Sequence, residues 1–154
     1  MLNRNQKIVE EFLQYLEVEK HYSLNTTRAY KVDLNQFFNS LEFKLAFTEI
    51  SANDIQLFLQ RLSRNKMSER TLSRKLASIK SLFNYLLRQN KIAVNIAKLI
   101  KTPEIPKRLP NYLSAAEISL LLSYPYGDTF KDFRDRLILE LFYATGLRIS
   151  ELIK

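Results

Sequence analysis

The chain has 154 residues, with 24 Lys and Arg against 16 Asp and Glu, a formal charge of +8 at pH 7. It has no cysteine, one histidine and two glycines, which excludes a disulfide framework, a thiolate or His-rich metal site and a Gly-rich phosphate loop. No apolar run approaches the roughly 18 residues of a membrane span, and the polar segment from Met1 to Glu11 does not look like a secretory signal. A cytoplasmic location is expected, with no membrane partner.

The charge is concentrated in one stretch. Residues 61–108 carry 13 basic and 2 acidic groups, whereas residues 1–60 carry 6 and 8, and residues 109–154 carry 5 and 6. Such a localised positive field is the footprint of a polyanion binder. A solvated face is the plainer reading, but it usually mixes signs, and Glu69 is the lone acid between Arg61 and Glu104.

Apolar residues recur at spacings of three and four, and glycine and proline are almost absent before Pro103, so the fold class is all-α. A first helix is predicted over about Gln6 to Glu19, with Ile8, Val9, Phe12, Tyr15 and Leu16 inward. A second starts at Ser23-Leu24-Asn25, where Ser23 or Asn25 can cap it, and buries Tyr30, Leu34, Phe37, Phe38 and Leu41. A third begins at Ser51, with Asp54 completing an acidic capping box, and turns Ile55, Phe58, Leu59 and Leu62 inward. The fourth runs from about Ser68 to Gln89 around a Leu72, Leu76, Ile79, Phe83, Leu86 seam. A short fifth helix is expected near Asn95 to Ile100.

Pro103, Pro106 and Pro110 then break the pattern, with Lys107 and Arg108 among them. The expected division is a helical domain over 1–102, a linker over 103–110 and a further segment over 111–154. In that segment Ser114 and Glu117 form a capping box, Asp132 or Asp135 opens the next helix, and Gly146 ends it in a left-handed cap. A last helix is expected from Leu147. Leu147, Ile149, Leu152 and Ile153 have little to pack against, so the chain reads as one complete domain plus the opening of a second, the alternative being a two-helix appendage packed on the first domain.

Three features are candidates for function. On the fourth helix, Arg70, Arg74, Ala77, Ser81 and Arg88 lie opposite the seam, flanked by Thr71, Lys75, Ser78 and Lys80; such a face suits a duplex, with cations and hydroxyls reaching phosphates or base edges. The second helix offers a lesser version, with Asn25, Thr26, Arg28, Lys31, Asn35 and Asn39 off its apolar stripe. The linker's Lys101, Lys107 and Arg108 suit either a strap along a phosphate backbone or a charged spacer. The third feature is Ala144-Thr145-Gly146-Leu147-Arg148-Ile149-Ser150-Glu151-Leu152, where a glycine turn delivers Arg148 to a helix start that favours an anion, and Glu151 can steady its guanidinium. His21 lacks partners for a metal site and is read as structural or exposed.

That last segment resembles the first-arginine motif of the tyrosine recombinase (phage integrase) family. Glu19-Lys20-His21-Tyr22-Ser23-Leu24-Asn25-Thr26, with Ala29-Tyr30 and Asp33-Leu34, resembles the start of a Xer-type core-binding domain. Arg70-Thr71-Leu72-Ser73-Arg74-Lys75-Leu76-Ala77-Ser78-Ile79 resembles its DNA-facing fourth helix. Pro103 to Pro110 with Leu113-Ser114 resembles the linker, and Arg134-Asp135-Arg136 the approach to the arginine. His21 stands where the family usually has glycine, and Ile96 where it commonly has proline.

The resemblance implies a four- to five-helix SAM-like core-binding domain, followed by the first helices of an incomplete catalytic domain. It implies a C-shaped clamp on a double-stranded DNA recombination site, and strand cleavage and rejoining through a 3′-phosphotyrosine link without a metal or other cofactor. Arg148 would be the first of two arginines on the scissile phosphate, and Glu151 its support. The family's remaining catalytic residues, including the nucleophilic tyrosine, lie further along, so this chain alone is expected to bind DNA without cutting it. The family also implies a homo- or hetero-tetramer at full length, with a DNA translocase as a possible partner. Chromosome-dimer resolvases and phage or transposon integrases share these motifs, and a stand-alone DNA-binding module and a protein-binding bundle are the alternatives from other classes.

Overall fold

The computed structural model describes residues 4–41, 46–104 and 111–153. Seven α-helices and one 3-10 turn account for its regular structure, and there is no strand among the described residues. The helices are α1 (Arg4–Val18), α2 (Leu24–Ser40), α3 (Ala52–Arg64), α4 (Glu69–Arg88), α5 (Ala115–Leu122), α6 (Phe130–Thr145) and α7 (Ile149–Leu152); the 3-10 turn is Ile96–Leu99. The chain forms two compact units, Met1–Pro106 and Lys107–Lys154.

Hydroxyls set the helix starts. Ser23 caps α2 by accepting from the Thr26 amide, Ser51 caps α3 in a reciprocal box with Asp54, and Ser68 caps α4 by accepting from the Thr71 amide. Each satisfies a donor that the first helical turn leaves unpaired. Three non-glycine residues follow helix ends with left-handed backbones: His21 at φ 52°, Lys66 at 58° and Asn90 at 53°. The position where the resemblance calls for glycine is therefore one where a side chain is strained.

In the first unit, α4 is the central element, packing against α1, α2, α3 and the 3-10 turn. Its seam of Leu72, Leu76, Ile79, Phe83 and Leu86 is buried as expected, and Leu82 and Tyr85 join it. Phe12 of α1, Leu34, Phe37 and Phe38 of α2, and Ile55 of α3 are almost fully enclosed. Each such side chain contributes about 1.5–3 kcal/mol by leaving water. Phe37 meets Phe58 edge-on at 5.2 Å, which joins α2 to α3, and Phe12 lies 5.5 Å from Tyr85, which joins α1 to α4.

The second unit is built differently. Ser114 and Glu117 form the expected box at α5. The start of α6 lies about one turn before a start at Asp132 and nearly two before one at Asp135: Thr129 is the cap, and Asp132 is the third helical residue that answers it. Gly146 closes α6 at φ 65°. The last helix starts at Ile149 rather than Leu147, with Arg148 as its cap residue. α5 packs on α6, yet none of the described residues of this unit is buried. Phe130, Phe133, Leu137 and Tyr143 all remain more than half exposed.

Candidate nucleic-acid interface

α4 carries the main candidate face. At about 100° per residue, Arg70, Arg74, Ala77, Ser81 and Arg88 fall within an arc of about 60°, and the stripe is about 27 Å long. Arg70, Arg74, Ala77 and Arg88 are exposed and Ser81 is half-buried. The stripe therefore has guanidiniums near its ends and small residues in its middle. Arg88 donates to the Tyr15 hydroxyl at 3.1 Å. Beside it lies a pocket of about 180 Å³ bordered by Tyr15, Lys20, Tyr22, Ser81, Asn84 and Arg88. Thr71 is half-buried, and its hydroxyl lies 2.9 Å from that of Ser68 at the cap.

Two expected contact residues are corrected. Lys75 and Ser78 do not flank an open face; both are buried. A wheel drawn from one seam assumes a helix packed on one side, whereas α4 packs against four elements, and its enclosed arc covers about half the circumference. The Ser78 hydroxyl donates to the Lys75 carbonyl at 2.8 Å. The Lys75 ammonium donates to Asp33 Oδ1 at 2.8 Å and to Gln36 Oε1 at 2.6 Å, both on α2. Arg74 donates to the other Asp33 oxygen. Asp33 is fully enclosed, while the Arg74 side chain is 44% exposed.

The polar residues of α2 divide between two sides. Asn25, Arg28 and Lys31 are exposed and Thr26 is half-buried. Arg28 and Lys31 line a groove toward α1 with Glu10, Gln14 and Glu17, whereas Asp33 and Gln36 mark the edge that meets α4. On the wheel, Arg28 and Lys31 lie about 140–160° from Asp33. The structure does not bring them to the α4 stripe. Tyr30 stands near the ionic cluster, and burial, followed by the negative charge around it, pushes its phenol above the ordinary value of 10.0. Lys107 and Arg108 lie outside the described residues.

Sequence reasoning passed over Asp33 and Gln36 as site residues. The pairing joins positions 41 and 42 apart in the chain, and no local pattern announces it. An acid among apolar residues on the inner edge of α2 was the available signal.

In the second unit, the glycine turn puts Arg148 at an exposed corner. Its side chain is 82% exposed, its guanidinium lies 3.2 Å from Glu151, and its amide donates to the same carboxylate at 2.8 Å. α7 spans only four residues, so the dipole expected to favour an anion there is small. The arginine and its supporting acid are what the corner offers. Arg134 and Arg136 pair with Asp135 and Glu140. Among the described residues, no group of three or more His, Cys, Asp or Glu side chains could hold a metal ion, and no helix is long and apolar enough to cross a membrane.

The sequence that builds this unit has counterparts among known proteins. Residues 9–90 match the family described as phage integrase, N-terminal SAM-like domain. The chain belongs to that family. Relatives include a tyrosine recombinase XerC of Syntrophus aciditrophicus, 36% identical over 95% of this chain and 50% of its own length. A tyrosine recombinase XerD of Staphylococcus saprophyticus is 38% identical over 96% of the chain and 49% of its own. A tyrosine recombinase XerC of Myxococcus xanthus is 40% identical over 94% and 49%. The chain spans about half the length of the curated relatives it matches.

Proposed function

We propose that the first unit binds double-stranded DNA through the exposed stripe of α4, as the core-binding portion of a Xer-type site-specific recombinase. The single observation that carries this is Arg70, Arg74 and Arg88 on one open face of a rigid, well-anchored helix, in a stretch with almost no acid. Arginines at the stripe's ends can pair with phosphate oxygens, and Ala77 and Ser81 let the helix backbone come close. Asn25 and Thr26, at the start of α2, are the α2 residues assigned to the same contact. Lys101, just before the linker, adds a further cation, and Lys107 and Arg108 are assigned to the backbone alongside it.

The segment 111–154, which follows the 103–110 linker and makes up most of the second unit, is assigned to the opening of the catalytic domain. Arg148 would meet the scissile phosphate and neutralise charge that builds on it during transesterification, with Glu151 steadying the guanidinium. The exposed corner after Gly146 supports this role. The nucleophilic tyrosine is assigned to the part of the relatives' length that this chain does not span. The 154-residue chain thus binds DNA and leaves it uncut. Tetrameric assembly on a recombination site, a translocase partner and work in the cytoplasm belong to the same reading of the whole protein.

The test is fluorescence anisotropy with a labelled 30-base-pair duplex across a salt series. Affinity should fall steeply as salt rises, because each phosphate contact releases counterions. Arg74→Ala should weaken binding, and Gln60→Ala, on exposed α3 surface, should not. A flat salt response, or equal affinities for the two variants, would remove α4 from the interface.

A further inference from the structure

The ionic cluster between α2 and α4 has more cations than burial requires. Asp33 is a carboxylate with no exposure, and such a group needs a counter-charge. Lys75, itself buried, supplies one at 2.8 Å and donates a second hydrogen bond to Gln36 at 2.6 Å. That pair is already neutral. Arg74 is a second cation on the same carboxylate, held through one terminal nitrogen. The trio therefore carries a net charge of +1, and the surplus resides on the one member that reaches the surface.

This arrangement changes what Arg74 brings to a ligand. A free surface arginine loses side-chain entropy when it is immobilised at an interface. A guanidinium already tethered to a buried carboxylate has lost part of that freedom on folding, and its other N–H donors remain available. Because Lys75 balances Asp33, the clamp does not cancel the arginine's charge.

We infer that Asp33 is a positioning residue for DNA binding: with Lys75 as its counter-ion, it presets the orientation of Arg74 on the α4 stripe. The inference rests on the proposed α4 interface, and the test separates the two.

The experiment is a charge-matched cycle on the full 154-residue chain, read by anisotropy with the labelled 30-base-pair duplex at low salt. Asp33→Asn together with Lys75→Met keeps the local charge at +1 and the site neutral inside, but releases Arg74. Affinity should fall roughly three- to tenfold, the scale of ordering one long side chain. Arg74→Ala alone should weaken binding about tenfold or more, as loss of a charge-assisted contact. In the Arg74→Ala background, the Asn/Met pair should change affinity less than about twofold, because nothing is left to orient. A purely structural role for Asp33 would instead lower affinity equally in both backgrounds, or in neither, and would overturn the inference while leaving the interface intact. Arg74→Lys keeps the charge and loses the planar fork, at an exposed position that leaves the core untouched. It should bind several-fold more weakly, and parental affinity would overturn the inference even if the Asn/Met pair failed to fold. Arg74→Ala binding like the parent would overturn both the interface at that position and the inference built on it.

Discussion

The Asp33 cluster makes a sharp stability prediction. Asp33→Asn keeps the shape of the side chain but removes its charge. The Lys75 ammonium, whose side chain is only 5% exposed, would then be a buried cation with amide oxygens as its partners. Breaking one partner of a buried ion pair costs about 3–5 kcal/mol, much of it for the charge left behind. Arg74 can turn to water, so its share of the loss is small. The expected loss is therefore near the lower half of that range, about 3 kcal/mol. Replacing Lys75 by Met in the same chain removes the stranded charge and should recover most of it, because a neutral, well-filled site of similar volume is often no less stable than the ion pair. The assay is urea denaturation followed by far-ultraviolet circular dichroism on the single and double variants, compared at equal slope. A loss below about 1 kcal/mol for Asp33→Asn, or no recovery on adding Lys75→Met, would refute the reasoning that the ammonium is dry and held by this carboxylate.

Three further outcomes follow from particular residues. His21→Gly should stabilise the first unit by about 0.5–1 kcal/mol in thermal melts, because relief of the left-handed backbone at φ 52° exceeds the entropy glycine loses on folding. Hydrogen bonds from the Ser51 hydroxyl and then its amide hold the Asp54 carboxyl below its ordinary value of 3.8. Its contribution is thus fully present above the ordinary value and is lost as pH falls through the lowered folded one. Ser51→Ala should cost about 1 kcal/mol at neutral pH, and an NMR titration should show the Asp54 carboxyl moving back up. Arg88→Ala should reduce the salt slope of DNA affinity by about 0.9, the value of one phosphate contact. Lys31→Ala, on the α1 side of α2, should leave that slope as it was.

Much of the fold is legible in the sequence because its signals are local. Ser23, Ser51, Ser68 and Ser114 announce helix starts, and each accepts from the amide three residues on. Gly146 announces a stop by the one backbone conformation it takes freely. The start of α6 lies ahead of both aspartates because the cap is a threonine, Thr129, and Asp132 is the residue that answers it. The short helix expected near Asn95 to Ile100 is present as a 3-10 helix over Ile96–Leu99. The site was legible where exposure follows from one helix's own period, as for Arg70, Arg74 and Arg88. It was misread at Lys75 and Ser78, where neighbours on several sides decide what is covered. A lysine on a helix in a basic stretch reads as solvated until its partner is known, and that partner lies on another helix, 42 residues away.

The central claim is that the α4 stripe meets a phosphate backbone. Its most direct test is the salt dependence of duplex binding by the chain with Arg70, Arg74 and Arg88 all changed to Gln. The variant should be folded, with strongly reduced affinity and a slope of log affinity against log salt that is shallower by up to about 2.7, at about 0.9 per lost contact. A variant that is equally folded and binds with the parental slope would contradict the claim.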